Sequence, residues 1–174
     1  MIPQPVTFRP AMANDAPALA QLGRDTFCET FAHLYRPEDL SVFLAGAYTI
    51  EAVAAAIADP AIVYRLAEQD GQLIGYAKLA QQVGLDFPTD TGMMELKQLY
   101  VRSTWHGSGL GKTLMNWVLA EARQRGARGL VLSVWQGNHK AQAFYARYGF
   151  TAFGETYFMV GTQRDDEFVY GLKF

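Results

Sequence analysis

Residues 94–115 read Met94-Glu95-Leu96-Lys97-Gln98-Leu99-Tyr100-Val101-Arg102-Ser103-Thr104-Trp105-His106-Gly107-Ser108-Gly109-Leu110-Gly111-Lys112-Thr113-Leu114-Met115. The first eight have the make-up of a strand. Glycines then crowd positions 107, 109 and 111, after which Leu114, Met115, Val118 and Ala122 recur on one face of a helix. A glycine-rich turn between strand and helix presents successive backbone N–H groups at the positive end of the helix dipole, a ready site for phosphate oxygens. Spacing separates the common loops of this kind. A P-loop, G-x-x-x-x-G-K-S/T, ends well at Gly111-Lys112-Thr113 but needs its first glycine where His106 stands. The dinucleotide fingerprint G-x-G-x-x-G accepts Gly107 and Gly109 but needs its third glycine at Lys112. Both miss by one residue. Taken alone, the loop is also compatible with a connector whose glycines serve only tight turning.

Further along lies a second signal. Leu130-Val131-Leu132-Ser133-Val134-Trp135 reads as a strand buried on both faces. Asn138 then opens a short helix with Ala141, Phe144, Tyr145 and Tyr148 at i, i+3, i+4 and i+7, ended by Gly149-Phe150. An aliphatic-x-Val strand end at Leu99-Tyr100-Val101, a loop of the form Q/R-x-x-G-x-G/A from His106 to Gly111, and N-x-x-A-x-x-F-Y-x-x-x-G-F from Asn138 to Phe150 occur in that order. Together they resemble the acetyl-CoA-dependent GCN5-related N-acetyltransferase (GNAT) superfamily, closely over Glu95 to Phe153 and loosely elsewhere. His106 departs from the usual Gln or Arg, which weakens a side-chain contact to diphosphate and leaves the backbone cradle intact. Asp25-Thr26-Phe27-Cys28-Glu29-Thr30-Phe31, Val134-Trp135 and Tyr157-Phe158-Met159-Val160-Gly161 look like bacterial spermidine/spermine N-acetyltransferases of the Pai type.

The resemblance implies an α/β (α+β) GNAT fold: a mixed, mostly antiparallel sheet of six or seven strands flanked by four or five helices. It implies acetyl-CoA as co-substrate, with no metal. Backbone amides of the loop, His106, Gly107, Ser108, Gly109, Leu110, Gly111 and Lys112, would receive the diphosphate. Leu99, Tyr100 and Val101 would pair with the pantetheine arm, which enters where the strands ending at Val101 and Trp135 splay apart. Asn138 would bond the pantetheine or simply cap its helix. Tyr145 matches the family position whose phenol gives a proton to the departing thiolate, and an ordinary phenol keeps that proton at neutral pH. Its bland alternative is one more core aromatic beside Phe144 and Tyr148.

Acetyl transfer also needs a neutral amine. Strict alternation places Glu95, Lys97, Leu99 and Val101 on one face of their strand, so Glu95 is a candidate base acting through water. The alternative is a surface ion pair between Glu95 and Lys97. An ordinary Glu titrates some six units below an amine, so the transfer needs a tuned environment. Asp25 and Glu29, one helical turn apart, border the acceptor pocket by resemblance and are candidates to hold a cationic substrate; a solvated acidic face is the other reading. His33, His106 and His139 lack metal-ligand spacing, and Cys28 among Phe27 and Phe31 reads as a small buried residue. Arg147 reads as solvated in preference to a contact for the coenzyme's 3′-phosphate.

Around this core, Val6–Arg9 reads as a strand, Asn14 or Asp15 as a cap with Pro17 in the first turn of a helix to about Phe31. Pro37 opens a second helix and Thr49 caps a third. Ile62–Ala67 and Leu73–Ala77 form a hairpin about Asp70-Gly71. A polar loop spans Gly84 to Gly92, and a last β region runs from Phe150 to Leu172. The chain of 174 residues fits one domain, 1–174. Its hydrophobic half supports a real core, and 15 basic against 17 acidic residues leave no field for nucleic acid or an anionic membrane. Ala52 to Ala58 is far short of the ~20 residues that span a bilayer. Met1-Ile2-Pro3-Gln4-Pro5 lacks the pattern of a signal peptide, and Cys28 is alone, so the expected setting is cytoplasmic. Homodimers are common among such enzymes. The expected reaction is direct acetyl transfer to a primary amine of a small cationic acceptor such as a polyamine. The rivals are a protein N-terminus, an aminoglycoside or an amino acid as acceptor, or a non-catalytic acyl-CoA sensor.

Overall fold

The computed structural model describes residues 5–174, so the reading of Met1 to Gln4 as free of a signal pattern lies outside the described residues. In chain order the elements are β1 (Thr7–Pro10), α1 (Ala16–Phe31), α2 (Pro37–Ala47), α3 (Ile50–Ala58), β2 (Ile62–Gln69), β3 (Gln72–Ala80), β4 (Met93–Val101), α4 (Leu110–Gln124), β5 (Gly129–Trp135), α5 (His139–Ala146), β6 (Thr151–Val160) and β7 (Gln163–Lys173). The seven strands form one sheet in the order β1-β2-β3-β4-β5-β7-β6. Every pair is antiparallel except β4 with β5. This is the mixed, mostly antiparallel sheet with five helices that the glycine loop and the Asn138 helix led us to expect. No single described helix is long and apolar enough to cross a membrane.

Local chemistry explains many of the boundaries. Asp70 (φ 50) and Gly71 (φ 76) both take left-handed conformations between β2 and β3, as a two-residue hairpin requires. Thr49 caps α3 through its hydroxyl, which accepts the Ala52 N–H at 3.1 Å, and Asn138 Oδ1 does the same for Ala141 at 3.1 Å. The start of α1 differs from expectation. Neither Asn14 nor Asp15 caps it by side chain. The Asp15 carboxylate is instead taken by Arg9, at 2.7 and 2.8 Å, and by the Met12 N–H at 2.7 Å. Two charge-assisted bonds to a guanidinium outweigh one to a helix amide.

Two cores hold the sheet. On one face α4 buries Leu114, Met115, Val118 and Ala122 completely, against Met94, Leu96, Leu130, Leu132 and Val134. Each such Leu or Met contributes about 1.5–3 kcal/mol by leaving water. On the other face Leu19 and Leu22 of α1 and Val53 of α3 pack on Tyr64, Leu66 and Tyr76. A smaller aromatic cluster, Phe27, Phe31, Tyr35, Phe43 and Tyr48, continues this side towards β6.

Two irregularities in β4 shape everything that follows. Lys78 pairs with Gln98 and Leu79 with Leu96, so Lys97 is an unpaired bulge residue. The expected single face of Glu95, Lys97, Leu99 and Val101 therefore breaks. Leu99 and Val101 pack on the α4 core, whereas Tyr100 packs with the α1–α3 side. Glu95, on the far side of the bulge, shares the face of Gln98 and Tyr100, because one inserted residue reverses the alternation. Second, the parallel register of β4 with β5 runs only from Met93↔Gly129 to Glu95↔Val131. Beyond Glu95, β4 pairs with β3 alone, and β5 continues to Trp135 paired with β7 alone. The sheet opens into a cleft between its two central strands.

Candidate active site

The loop after β4 begins with a short turn, Ser103–Trp105. Ser108 Oγ then donates to the Trp105 carbonyl at 2.7 Å. Gly107 (φ 82) and Gly109 (φ 88) both hold left-handed backbone, which favours glycine. Gly109 is the N-cap of α4, and its carbonyl accepts the Thr113 N–H at 3.0 Å. Among the described residues the amides of Gly107, Gly109, Gly111 and Lys112 have no acceptor. They form a concave set of donors at a helix N-terminus, the arrangement that binds phosphate oxygens. The departure at His106 has a local use: its Nε2 lies 3.0 Å from the Val101 carbonyl, bracing the loop against the strand that feeds it.

Asn138, Gln142 and α5 flank the cleft on the β5 side. Gln142 Nε2 donates to the carbonyls of Trp135 (3.2 Å) and Gln136 (2.8 Å), fixing α5 to the end of β5. Phe144 reaches back to within 3.9 Å of where a side chain on Gly111 would sit, so α5 and the glycine loop adjoin. Tyr145 is half-buried, its ring 5.4 Å from Phe144 and 5.8 Å from Phe150. Its hydroxyl bonds to no other described residue. Burial, and then the neighbouring Tyr100, push this phenol above the usual tyrosine range, so it stays protonated at neutral pH.

Leu99, Tyr100 and Val101 form the β4 edge that has parted from β5, with the backbone of that edge turned to the cleft. Glu95 sits where the strands part and is buried. Its Oε2 accepts the Gly84 N–H at 2.7 Å and pairs with Lys97 Nζ at 3.1 Å. It thereby anchors the loop between β3 and β4, which crosses the same sheet face as far as β6: Thr156 Oγ1 donates to the Asp86 carbonyl at 3.4 Å. Asp25 and Glu29 both have hydrogen-bond partners at the strand–loop junction. Asp25 accepts from Gln21 at 2.6 Å and Arg102 at 3.3 Å, and Glu29 accepts the Ser103 N–H at 2.8 Å. Both carboxylates tie α1 to the strand–loop junction ahead of the glycine turn. Glu29→Gln should therefore raise the acetyl-CoA Kd several-fold with the amine KM unchanged, measured by calorimetry and initial rates. A rise confined to the amine KM would place Glu29 in the acceptor pocket instead. Cys28 belongs to the aromatic cluster of α1, and burial pushes its thiol up, away from nucleophilic use.

The structure adds a group that the sequence reading did not single out. On β7 the residues Phe168, Tyr170 and Leu172 pack towards α4 and α5, so Asp165, Glu167 and Val169 point to the opposite face. By the same alternation Ser133 of β5 lies on that face, opposite Val169 in the register. Tyr35 donates a hydrogen bond to Asp165, and the Ser133 hydroxyl favours the charged form of the Glu167 carboxylate. Burial raises the carboxyl of Glu167 above the usual range; the Ser133 bond opposes this and Asp165 adds to it. Tyr100, on the facing strand, is sensed electrostatically by Tyr35, Tyr48 and Tyr145, and itself senses Glu167. The available signal was the run Asp165-Asp166-Glu167 inside a strand that ends as Phe168-Val169-Tyr170, since acidic residues are depleted in strands.

Comparison with known proteins agrees with this geometry. Residues 25–150 match the family model described as Acetyltransferase (GNAT) family. An uncharacterized N-acetyltransferase of Lactobacillus delbrueckii subsp. lactis is 31% identical over 156 residues, 90% of each chain. An uncharacterized N-acetyltransferase of Mycobacterium tuberculosis (strain ATCC 25618 / H37Rv) is 32% identical, over 90% of this chain and 96% of its own. Among solved structures, the PaiA N-acetyltransferase of Thermoplasma acidophilum, in complex with coenzyme A, superposes with a TM-score of 0.79 at 20% identity, over 98% of this chain and 100% of that one. With two motifs in order, a parted central strand pair and a matching family model over most of its length, this chain belongs to the GNAT family of N-acetyltransferases.

Proposed function

We propose that this acetyltransferase moves the acetyl group of acetyl-CoA directly to the primary amine of a small cationic acceptor of the polyamine class. The observation that carries this reading is the cleft between β4 and β5 with unlike ends: free amides at Gly107, Gly109, Gly111 and Lys112 on one side, and the Asp165–Glu167 face on the other. The amides suit a diphosphate. The β4 edge at Leu99, Tyr100 and Val101 suits an extended amide-bearing arm, added like a strand, and Asn138 stands at the opposite lip. A backbone N–H of that edge polarises the thioester carbonyl. Tyr145 protonates the departing thiolate. Two carboxylates on the acceptor face, Glu95 and Glu167, are candidates to take the proton of the incoming ammonium. Asp165, Glu167 and the phenols of Tyr35 and Tyr100 give that end an acidic, aromatic character suited to an alkylammonium.

The experiment is a panel of amines with acetyl-CoA, reading thiol release. Diamines and polyamines should be acetylated faster than neutral-tailed amines of equal length. Equal rates across the two sets overturn the acceptor class, and preference for peptide N-termini replaces it. Coenzyme binding without release on any amine replaces the enzyme reading with an acyl-CoA sensor.

A further inference from the structure

We propose that Glu167 is the proton acceptor that turns the bound ammonium into a nucleophile, with Ser133 positioning its carboxylate. This rests on the acetyl-transfer reading above and extends it to a residue on β7, outside both sequence motifs. β5 carries on past the point where β4 leaves it, and its last residue, Trp135, pairs with Glu167. Glu167 is thus fixed by an unbroken antiparallel ladder beside the open part of the cleft. Glu95, by contrast, lies at the closed end, where the β4–β5 register stops. The two carboxylates also differ in employment. Glu95 is buried and holds Gly84 and Lys97. Glu167 is half-buried and forms no ion pair among the described residues; Ser133, on the same face of the neighbouring strand, favours its charged form.

The surroundings fit the task. The titratable and charged neighbours facing Glu167 are Asp165 on its own strand, Tyr100 from β4 and Tyr35 from the turn after α1. Asp86 lies in the loop that reaches Thr156, the β6 partner of Glu167. None of these is a cation, so an arriving ammonium would be the first positive charge among them. Partial desolvation narrows the gap of some six units between an ordinary Glu and an alkylammonium. Tyr100, on the parted edge of β4, is within electrostatic reach of both this carboxylate and Tyr145.

An N–H bond of the ammonium breaks and its proton passes to Glu167, directly or through one water. The freed lone pair attacks the acetyl carbonyl and forms the C–N bond. The C–S bond then breaks as the sulfur takes the Tyr145 proton, and the second proton of the attacking nitrogen restores Tyr145. Glu167 finally releases its proton to solvent.

The test is the pH profile of kcat/KM for 1,4-diaminobutane, or for whichever panel amine releases thiol fastest, in the wild type, Glu167→Gln and Glu95→Gln. The wild type should show a plateau between the Glu167 and amine ionisations. Glu167→Gln should lose roughly 100-fold at pH 7 and recover about tenfold per pH unit as the neutral amine accumulates, with the acetyl-CoA Kd unchanged. A loss by one constant factor at every pH, or a loss under about threefold, overturns the assignment. So does the sloping profile appearing in Glu95→Gln while Glu167→Gln keeps its plateau. Ser133→Ala serves if Glu167→Gln does not fold: removing the hydroxyl should move the acid limb of the plateau to higher pH, and an unmoved limb overturns the proposal. A wild type that binds acetyl-CoA and acetylates nothing defeats the enzyme reading itself, a failure distinct from any of these.

Discussion

Gly109→Val should raise the acetyl-CoA Kd by roughly 100-fold or more, measured by calorimetry on folded protein. Gly109 holds φ 88 and ψ −2 as the N-cap of α4. A non-glycine residue there costs about 1–2 kcal/mol, and a β-branched one tolerates the conformation least. No atom lies within 4 Å of the position a Cβ would take, so the added side chain meets no protein. It projects into open space at the loop where the diphosphate is proposed to sit. Loss of two charge-assisted bonds, at about 1.5–3 kcal/mol each, accounts for the expected change. Gly109→Asn separates strain from obstruction, because Asn enters the left-handed region more readily. It should fold like the wild type and lose less affinity than the Val variant. Wild-type affinity in a folded Gly109→Val protein would remove this loop from coenzyme binding.

Tyr145→Phe should lower kcat by roughly 100-fold, the usual scale for a general acid, with the acetyl-CoA Kd unchanged. The substitution is well matched to the question. The ring contacts with Phe144 and Phe150 survive it, and the hydroxyl has no partner among the described residues whose loss would destabilise the fold. If Tyr145 were only a core aromatic, Phe would be silent, and unchanged turnover would assign it that role. A fall in kcat with intact binding isolates proton delivery to the thiolate, since an interaction made only at the transition state shows in kcat.

The readings that succeeded from sequence are those whose causes are local. The Asp70-Gly71 hairpin, the Thr49 and Asn138 caps and the apolar face of α4 each depend on residues within a turn or two of one another. The start of α1 was also a local question, yet it went otherwise, because Arg9 and Glu68 from two strands compete for the same neighbourhood. Arg9 bonds Asp15 and Glu68 together, and its strong hold on Asp15 keeps that carboxyl below its usual range. The face of Glu95 was misread for a comparable reason. Alternation is reliable only while every residue has a cross-strand partner, and the unpaired Lys97 is visible only once β3 is laid alongside.

By itself, then, the sequence determined the family, the glycine loop and its free amides, and the phenol of Tyr145 on the short helix after Asn138, since these follow from spacing along one stretch of chain. Tertiary structure alone decided the insertion of β7 between β5 and β6, the parting of β4 from β5 beyond Glu95, the tie of Asp25 and Glu29 to Arg102 and Ser103, and the place of Glu167 at the cleft. Each of those depends on which strands become neighbours and in what register. A slip of one residue exchanges the two faces of a strand, and no local pattern fixes that choice across a hundred residues of chain.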